Sequence, residues 1–137
     1  MGAEPHSVRS DCPIAGSLDL LGDRWTLLVL RDLLIGGVHH FTDFGVDERI
    51  PPNTLTDRLQ RLVEAGLIER ERDASDARRW FYRPLAPAVA LIPILVDLMV
   101  WGTEYTGGAA PQWILDAVAT DRSQLISRLQ DAASARS

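Results

Sequence analysis

The stretch PPNTLTDRLQRLVEAGLIERER, residues 51–72, decides the fold. Pro51-Pro52 opens a helix that runs through Ala65 and stops at Gly66, the usual placement of Pro at a start and Gly past an end. Leu55, Leu59 and Leu62 stand four and three residues apart, so the helix carries one buried stripe. Directly after it, Leu67-Ile68-Glu69-Arg70-Glu71-Arg72 alternates as a strand does. A polar loop, Asp73-Ala74-Ser75-Asp76-Ala77-Arg78, leads to Trp80-Phe81-Tyr82-Arg83, an aromatic run suited to a second strand. A helix followed by two strands and a charged loop predicts a hairpin that projects as a wing.

Upstream, Pro13-Ile14-Ala15 opens a short helix to about Leu21, stopped by Gly22. Asp23 is the expected N-cap of a helix over Arg24–Ile35, ended by Gly36-Gly37. Within it Trp25, Leu28, Val29 and Asp32 follow amphipathic spacing. A short helix is expected over Thr42–Asp47, capped by Thr42. Downstream, a helix from Pro87 to about Tyr105 is apolar almost all round, through Val89, Leu91, Ile92, Ile94, Leu95, Val96, Leu98, Met99, Val100 and Trp101. A small domain cannot bury every side of one helix. Pro93 and Asp97 inside it, and a length barely sufficient to span, argue against membrane insertion. Burial against the same helix of a second subunit is the expectation, with Leu91, Leu95, Leu98 and Trp101 as interface residues. After Gly107-Gly108, the positions Ile114, Leu115, Val118, Leu125, Ile126 and Leu129 predict one or two further amphipathic helices.

With 137 residues, 46% of them hydrophobic and 24% charged, the chain has the composition of one globular domain. It divides into an arm at 1–11, a main unit at 12–106 and a helical extension at 107–137. Met1–Asp11 has no secretory pattern, and a single cysteine, Cys12, rules out an internal disulfide framework; both fit a reducing cytoplasm. The net charge of −5 argues against a nucleic-acid partner until it is divided along the chain. Residues 1–48 carry three Arg against eight acids, 49–83 eight Arg against six acids, and 84–137 three Arg against five acids. Positive charge is thus gathered on the helix and hairpin of 51–83, where it can face phosphates. All fourteen basic residues are Arg, which favours bidentate contacts to phosphate or guanine.

Helix, short helix, longer helix, strand, loop, strand is the order of a winged helix-turn-helix. The fold class expected is mainly α with a small β-hairpin (α+β), with terminal dimerisation helices. Cys12-Pro13, Leu20-Leu21-Gly22-Asp23-Arg24-Trp25-Thr26, Phe41-Thr42-Asp43-Phe44, Leu55-Thr56-Asp57-Arg58-Leu59, Leu62 and Glu64-Ala65-Gly66-Leu67-Ile68-Glu69-Arg70 together resemble the HxlR-type, MarR-like family of bacterial transcriptional regulators. The resemblance covers Cys12 to Gly102. It implies a homodimer joined by its terminal helices, with two wings flanking a DNA operator. Three departures stand out. His39-His40 replace residues that are often basic, Pro51 takes the usual N-cap place, and Leu85-Ala86-Pro87 replaces the family's Leu-Thr and Gly after the second strand.

Setting Leu55, Leu59 and Leu62 inward, at about 100° per residue, turns Asn53, Asp57, Gln60 and Glu64 outward, with Thr56 and Arg61 at the flanks. Asn53, Thr56, Asp57 and Gln60 are the candidates for reading base edges: Asn and Gln suit adenine, and Asp can accept from cytosine. Arg61 suits phosphate. Thr42 and Thr54 complete the candidates around this helix, and Arg78 and Arg79 those of the wing tip. Arg58 lies nearer the stripe and has two readings, a fold-stabilising ion pair and a phosphate contact.

Cys12 matches a position where members of the resembled family sense oxidants or electrophiles, which would need a thiolate. An inert thiol at a dimer seam is the other reading. His39 and His40 with Asp43 lack the spacing of a metal site. No metal or other cofactor is expected, and no nucleophile, base or phosphate loop points to an enzyme. Trp25, Trp101 and Trp113 belong to a core or line a small-molecule effector pocket. The reading is a cytoplasmic homodimer that represses transcription from a pseudo-palindromic double-stranded DNA operator, under a small-molecule or oxidant effector. The alternative is a dimeric module binding small molecules or proteins, which Asp57 and Glu64 on the outer face keep open.

Overall fold

The structure, a computed structural model, describes residues 10–135. Most of the expected arm at 1–11 lies outside the described residues. The helices are α1 (Pro13–Leu21), α2 (Thr26–Leu34), α3 (Pro52–Glu64), α4 (Ala86–Val89), α5 (Ile92–Tyr105) and α6 (Gln112–Ala135), with strands β1 (Ile68–Arg72) and β2 (Trp80–Pro84) between α3 and α4. β1 and β2 form an antiparallel hairpin in which Ile68 pairs with Pro84, Arg70 with Tyr82 and Arg72 with Trp80.

α2 is the centre. Its Val29, Leu30, Leu33 and Leu34 are fully enclosed, and α3, α4, α5, α6 and β2 all pack on it. The stripe read on α3 is confirmed, because Leu55, Leu59 and Leu62 are all buried. α3 then ends in a Schellman motif: Gly66 takes a φ of 79°, its N–H donates to the Val63 carbonyl, and the Leu67 N–H donates to the Leu62 carbonyl. That reversal sends the chain into β1. α1 buries none of its residues and leaves Ile14 and Leu18 exposed.

Three elements differ from expectation. α2 begins at Thr26 rather than Arg24, so its N-cap place falls to Trp25 and not to Asp23; the Asp23 carboxylate, two residues before, accepts from the Trp25 N–H at 2.8 Å and the Thr26 N–H at 3.0 Å. The helix expected over Thr42–Asp47 is only a 3₁₀ turn, Phe41–Asp43, followed by hydrogen-bonded turns. Gly45 and Arg49 there have φ values of 62° and 57°, which no right-handed helix accepts. Asp32 draws the Gly45 N–H to Oδ2 at 2.7 Å, and a Cβ on Gly45 would stand 2.2 Å from Ile50 Cδ1, so the turn admits no side chain at that position. Arg49 holds the left-handed conformation with a side chain, at a cost of about 1–2 kcal/mol. Arg49→Gly is therefore expected to raise stability by about 0.5–1 kcal/mol in urea unfolding, after glycine's greater unfolded-state entropy is deducted.

The third difference is the apolar helix of Pro87–Tyr105, which is broken into α4 and α5 at Ala90-Leu91. Pro93 has no N–H for the carbonyl four residues back and its ring crowds that carbonyl. The carbonyl is that of Val89, and Gln130 Nε2 of α6 donates to it at 3.3 Å. α6 is itself interrupted at Asp121, whose φ of −161° is extended. Asp121 Oδ1 accepts from the Gln124 N–H at 3.1 Å, so the residue caps a second helical segment. Ile114, Leu125, Ile126 and Ala133 of α6 join the core.

Candidate nucleic-acid interface

The N-terminus of α3 has Pro51 as its cap and Pro52 as its first residue, with no capping side chain. The amides of Asn53 and Thr54 therefore lack an intrahelical partner and add to the positive end of the helix dipole. Asn53, Thr56, Asp57 and Gln60 are exposed, as read from the periodicity, while Thr54 and Arg61 are half-buried. Hydrogen bonding divides this row. Thr56 Oγ1 donates to the Pro52 carbonyl at 3.0 Å, Gln60 donates to Glu64 at 3.1 Å, and Asp57 accepts from Arg58 at 2.5 Å with Arg61 at 3.9 Å. Asn53 makes no side-chain hydrogen bond among the described residues. The acids that kept a non-DNA reading open are thus partnered by neighbours on the same helix.

Arg58 resolves toward the fold. Its Nε donates to Asp23 Oδ1 at 3.1 Å, tying α3 to the start of α2. Burial alone would raise the Asp23 carboxyl. The Thr26 hydroxyl, the Trp25 and Thr26 amides and Arg58 outweigh it and hold the group below the ordinary value of 3.8.

The wing contributes residues that sequence reading missed. Strand alternation puts Arg70 and Arg72 on one face of β1, and both guanidiniums lie over the Trp80 ring, at 4.2 and 3.9 Å from its centre. On the opposite face Glu69 and Glu71 both pair with Arg83. One surface of the hairpin is therefore cationic, while the two acids of the other share the single guanidinium of Arg83. The signal lies in Glu69-Arg70-Glu71-Arg72, where period two segregates the charges. Between this surface and α3 runs a groove of about 220 Å³ lined by Thr56, Gln60, Val63, Arg70 and Trp80, among others. The helix face and Arg70 of the wing thus border one feature.

The wing loop is internally ordered. Asp73 accepts from the Ser75 N–H at 2.8 Å and the Ser75 hydroxyl at 2.7 Å. His40 Nε2 meets its other oxygen at 2.5 Å. The Ser75 amide and hydroxyl, with His40, hold the Asp73 carboxyl well below the usual range. His39 stacks on Phe81 with ring centres 4.4 Å apart, and its Nδ1 lies 2.8 Å from the Tyr82 carbonyl. The two histidines are half-buried clamps joining the helix-turn-helix to the wing. Arg78 points outward, 90% exposed, with Asp76 at 3.1 Å. Arg79 is exposed. Thr42 is exposed on the 3₁₀ turn. Cys12 is a free, exposed thiol at the N-cap of α1.

The HxlR-like helix-turn-helix family matches residues 20–109, the span that contains all of these elements from α2 to α5. The chain belongs to that family. An uncharacterized HTH-type transcriptional regulator of Mycobacterium tuberculosis, Rv3095, is 41% identical over 92 residues, covering 67% of this chain and 58% of that protein. The chain thus spans less than two thirds of the length of this relative. The crystal structure of PA1607, a candidate transcription factor, superposes with a TM-score of 0.66 at 34% identity, over 75% of this chain and 70% of the other. The reduced form of the transcriptional regulator YodB from Bacillus subtilis shares the fold, with a TM-score of 0.56 at 23% identity over 71% of this chain and 96% of that one. These similar proteins carry the names of transcriptional regulators and a transcription factor, and the helix-rich winged fold agrees with the sequence reading.

Proposed function

We propose that this HxlR-family chain is a homodimeric, sequence-specific DNA-binding repressor. The observation that carries the reading is the adjacency, across one groove, of Thr56 and Gln60 on the outward helix face and of Arg70 and Trp80 on the wing, with Arg72 racked on the same indole. Asn53 is the base reader with the freest side chain; Thr56, Asp57 and Gln60 follow it along the face, the last two after exchanging their helix partners for base edges. Thr42, the Asn53 and Thr54 amides, and Arg61 meet phosphates on one side, and Arg70, Arg72, Arg78 and Arg79 on the other. A dimer presents two such faces to half-sites about one or more helical turns apart. Occupancy of that operator in the cytoplasm excludes polymerase.

Selection of bound sequences from a random duplex library at near-physiological salt tests the reading. Enrichment of a two-fold symmetric motif supports it. Folded, dimeric protein that enriches no motif overturns it in favour of a dimeric module with another ligand. With the operator in hand, Arg70→Ala/Arg72→Ala is expected to weaken binding to all sequences. Its log–log salt slope should flatten by about 3.6, or 0.9 for each of the four phosphates that a dimer no longer neutralises. Asn53→Ala should instead relax preference at a single base pair of each half-site, at a cost of about 1–3 kcal/mol per half-site. A full salt slope in the arginine variant would remove the wing rack from the interface.

A further inference from the structure

A cleft of about 820 Å³ lies away from the DNA-facing surface, between α2, α5 and the start of α6. That volume is within the range of small-molecule sites. Its walls are apolar, formed by Leu28, Ile35, Leu98, Met99, Trp113 and Ile114, and its edge carries Arg31, Asp32, Asp47 and Glu48. Three carboxylates thus face one guanidinium, and that guanidinium is already occupied. Arg31 donates to Asp32 through Nε at 3.0 Å and its terminal nitrogen at 2.9 Å, and to Glu48 at 3.2 Å. Asp32 also accepts the Gly45 N–H. Asp47 has neither ion pair nor hydrogen bond among the described residues. The unspent charge of the cleft is negative, and it sits beside an indole, Trp113, whose surface is more than half exposed.

We propose that this cleft binds an organic cation with a bulky apolar body, a lipophilic amine or quaternary onium, as an effector. An apolar wall stabilises the body. A cation brought out of water requires a compensating charge, which Asp47 supplies, and an aromatic face adds attraction. An organic anion of the same shape would meet uncompensated carboxylates. Asp47 and Glu48 belong to the turn that continues through Arg49, Ile50 and Pro51 into α3, whereas Met99 and Gly102 belong to α5. A ligand held between them changes the spacing of α3 from α5. This regulatory clause rests on the DNA-binding reading; binding itself does not.

The test uses two ions of nearly the same size and shape and opposite charge, tetraphenylphosphonium and tetraphenylborate. Each is titrated into the full chain, without DNA and in sodium buffer, by calorimetry and tryptophan fluorescence. Saturable binding of the cation at one site per chain is expected, at least tenfold tighter than the anion. Asp47→Asn should weaken the cation at least fivefold and leave the anion unchanged or tighter. Gly102→Leu should abolish binding of the cation without loss of fold, because a Cβ there meets only Thr106 Oγ1, at 3.6 Å. Equal or tighter binding of the anion, no binding of either ion, indifference to Asp47→Asn, or full binding in Gly102→Leu overturns the site. A bound cation that leaves affinity for a selected operator unchanged overturns the effector role alone. A chain that selects no operator fails the DNA reading and leaves the titration result standing.

Discussion

Trp101→Glu is expected to turn a dimer into a monomer and to lower affinity for a two-fold operator by about 10²–10⁴, the advantage of joining two binding modules. α5 has two apolar faces. Ile92, Leu95 and Val96 enter the chain's own core, whereas Ile94, Leu98, Trp101 and Tyr105, spaced four, three and four apart, stay exposed. Trp101 is 58% exposed and its ring lies 5.4 Å from that of Tyr105. Ile14 and Leu18 of α1 are also exposed. A contiguous row of this kind marks a contact surface, and in a two-fold dimer the same row meets itself. Among the four interface residues read from sequence, Leu98 and Trp101 fall on this row. Leu91 is half-buried, and Leu95, only 5% exposed, serves the intramolecular core. A central Trp is the residue type whose loss costs an interface most, and a carboxylate placed there has no partner. Sedimentation at micromolar concentration reads the dissociation, and a thermal melt shows whether the protomer still folds. A Trp101→Glu chain that remains dimeric with wild-type operator affinity would place the seam elsewhere.

The second large effect is on stability. Asp23→Ala is expected to cost about 2–4 kcal/mol, combining loss of the carboxylate that accepts the amides entering α2, about 0.5–2 kcal/mol as for a cap, with buried polar groups left unpaired, about 1–3 kcal/mol. The Thr26 hydroxyl, on a residue only 2% exposed, donates to Asp23 Oδ2 at 2.5 Å and has no substitute. Arg58 would keep only Asp57. Asp23→Asn should recover most of the amide contacts and none of the ion pair, so it falls between. Because the folded carboxyl lies below 3.8, its stabilisation is fully present above that value and is lost as pH falls through the folded one. Urea midpoints measured between pH 7 and pH 3 should therefore decline less steeply for Asp23→Ala than for wild type. Parallel curves would show that the carboxylate is not held as the geometry indicates.

Much of the fold is legible locally. The Leu55, Leu59, Leu62 stripe and the Gly66 stop each depend on residues within a few positions of one another, and the structure bears out both. The outward face of α3 follows from the same periodicity, and the family from strings of short motifs. The departures have physical causes. Thr42–Asp47 has helix-compatible residues, but Asp32, from another helix, captures the Gly45 amide and Ile50 leaves no room beside it. Arg70 and Arg72 escape a reading in which a strand's alternation serves to recognise the strand and not to sort its charges. His39 and His40 cannot be placed without knowing that Phe81 and Asp73 come to meet them.

The sequence by itself determined the order of elements, the buried stripe of the recognition helix and the family, because these rest on short-range periodicity and on covalent neighbours. Only the tertiary structure decided which face of α5 serves the core and which remains open. The segment is apolar on every side, so its pattern carries no preference, and the choice falls to the packing of α2 and α6 against it. The same holds for the Val89 carbonyl freed by Pro93. Its loss follows from one residue's ring, but its replacement partner, Gln130, lies far along the chain and is brought there by the fold alone.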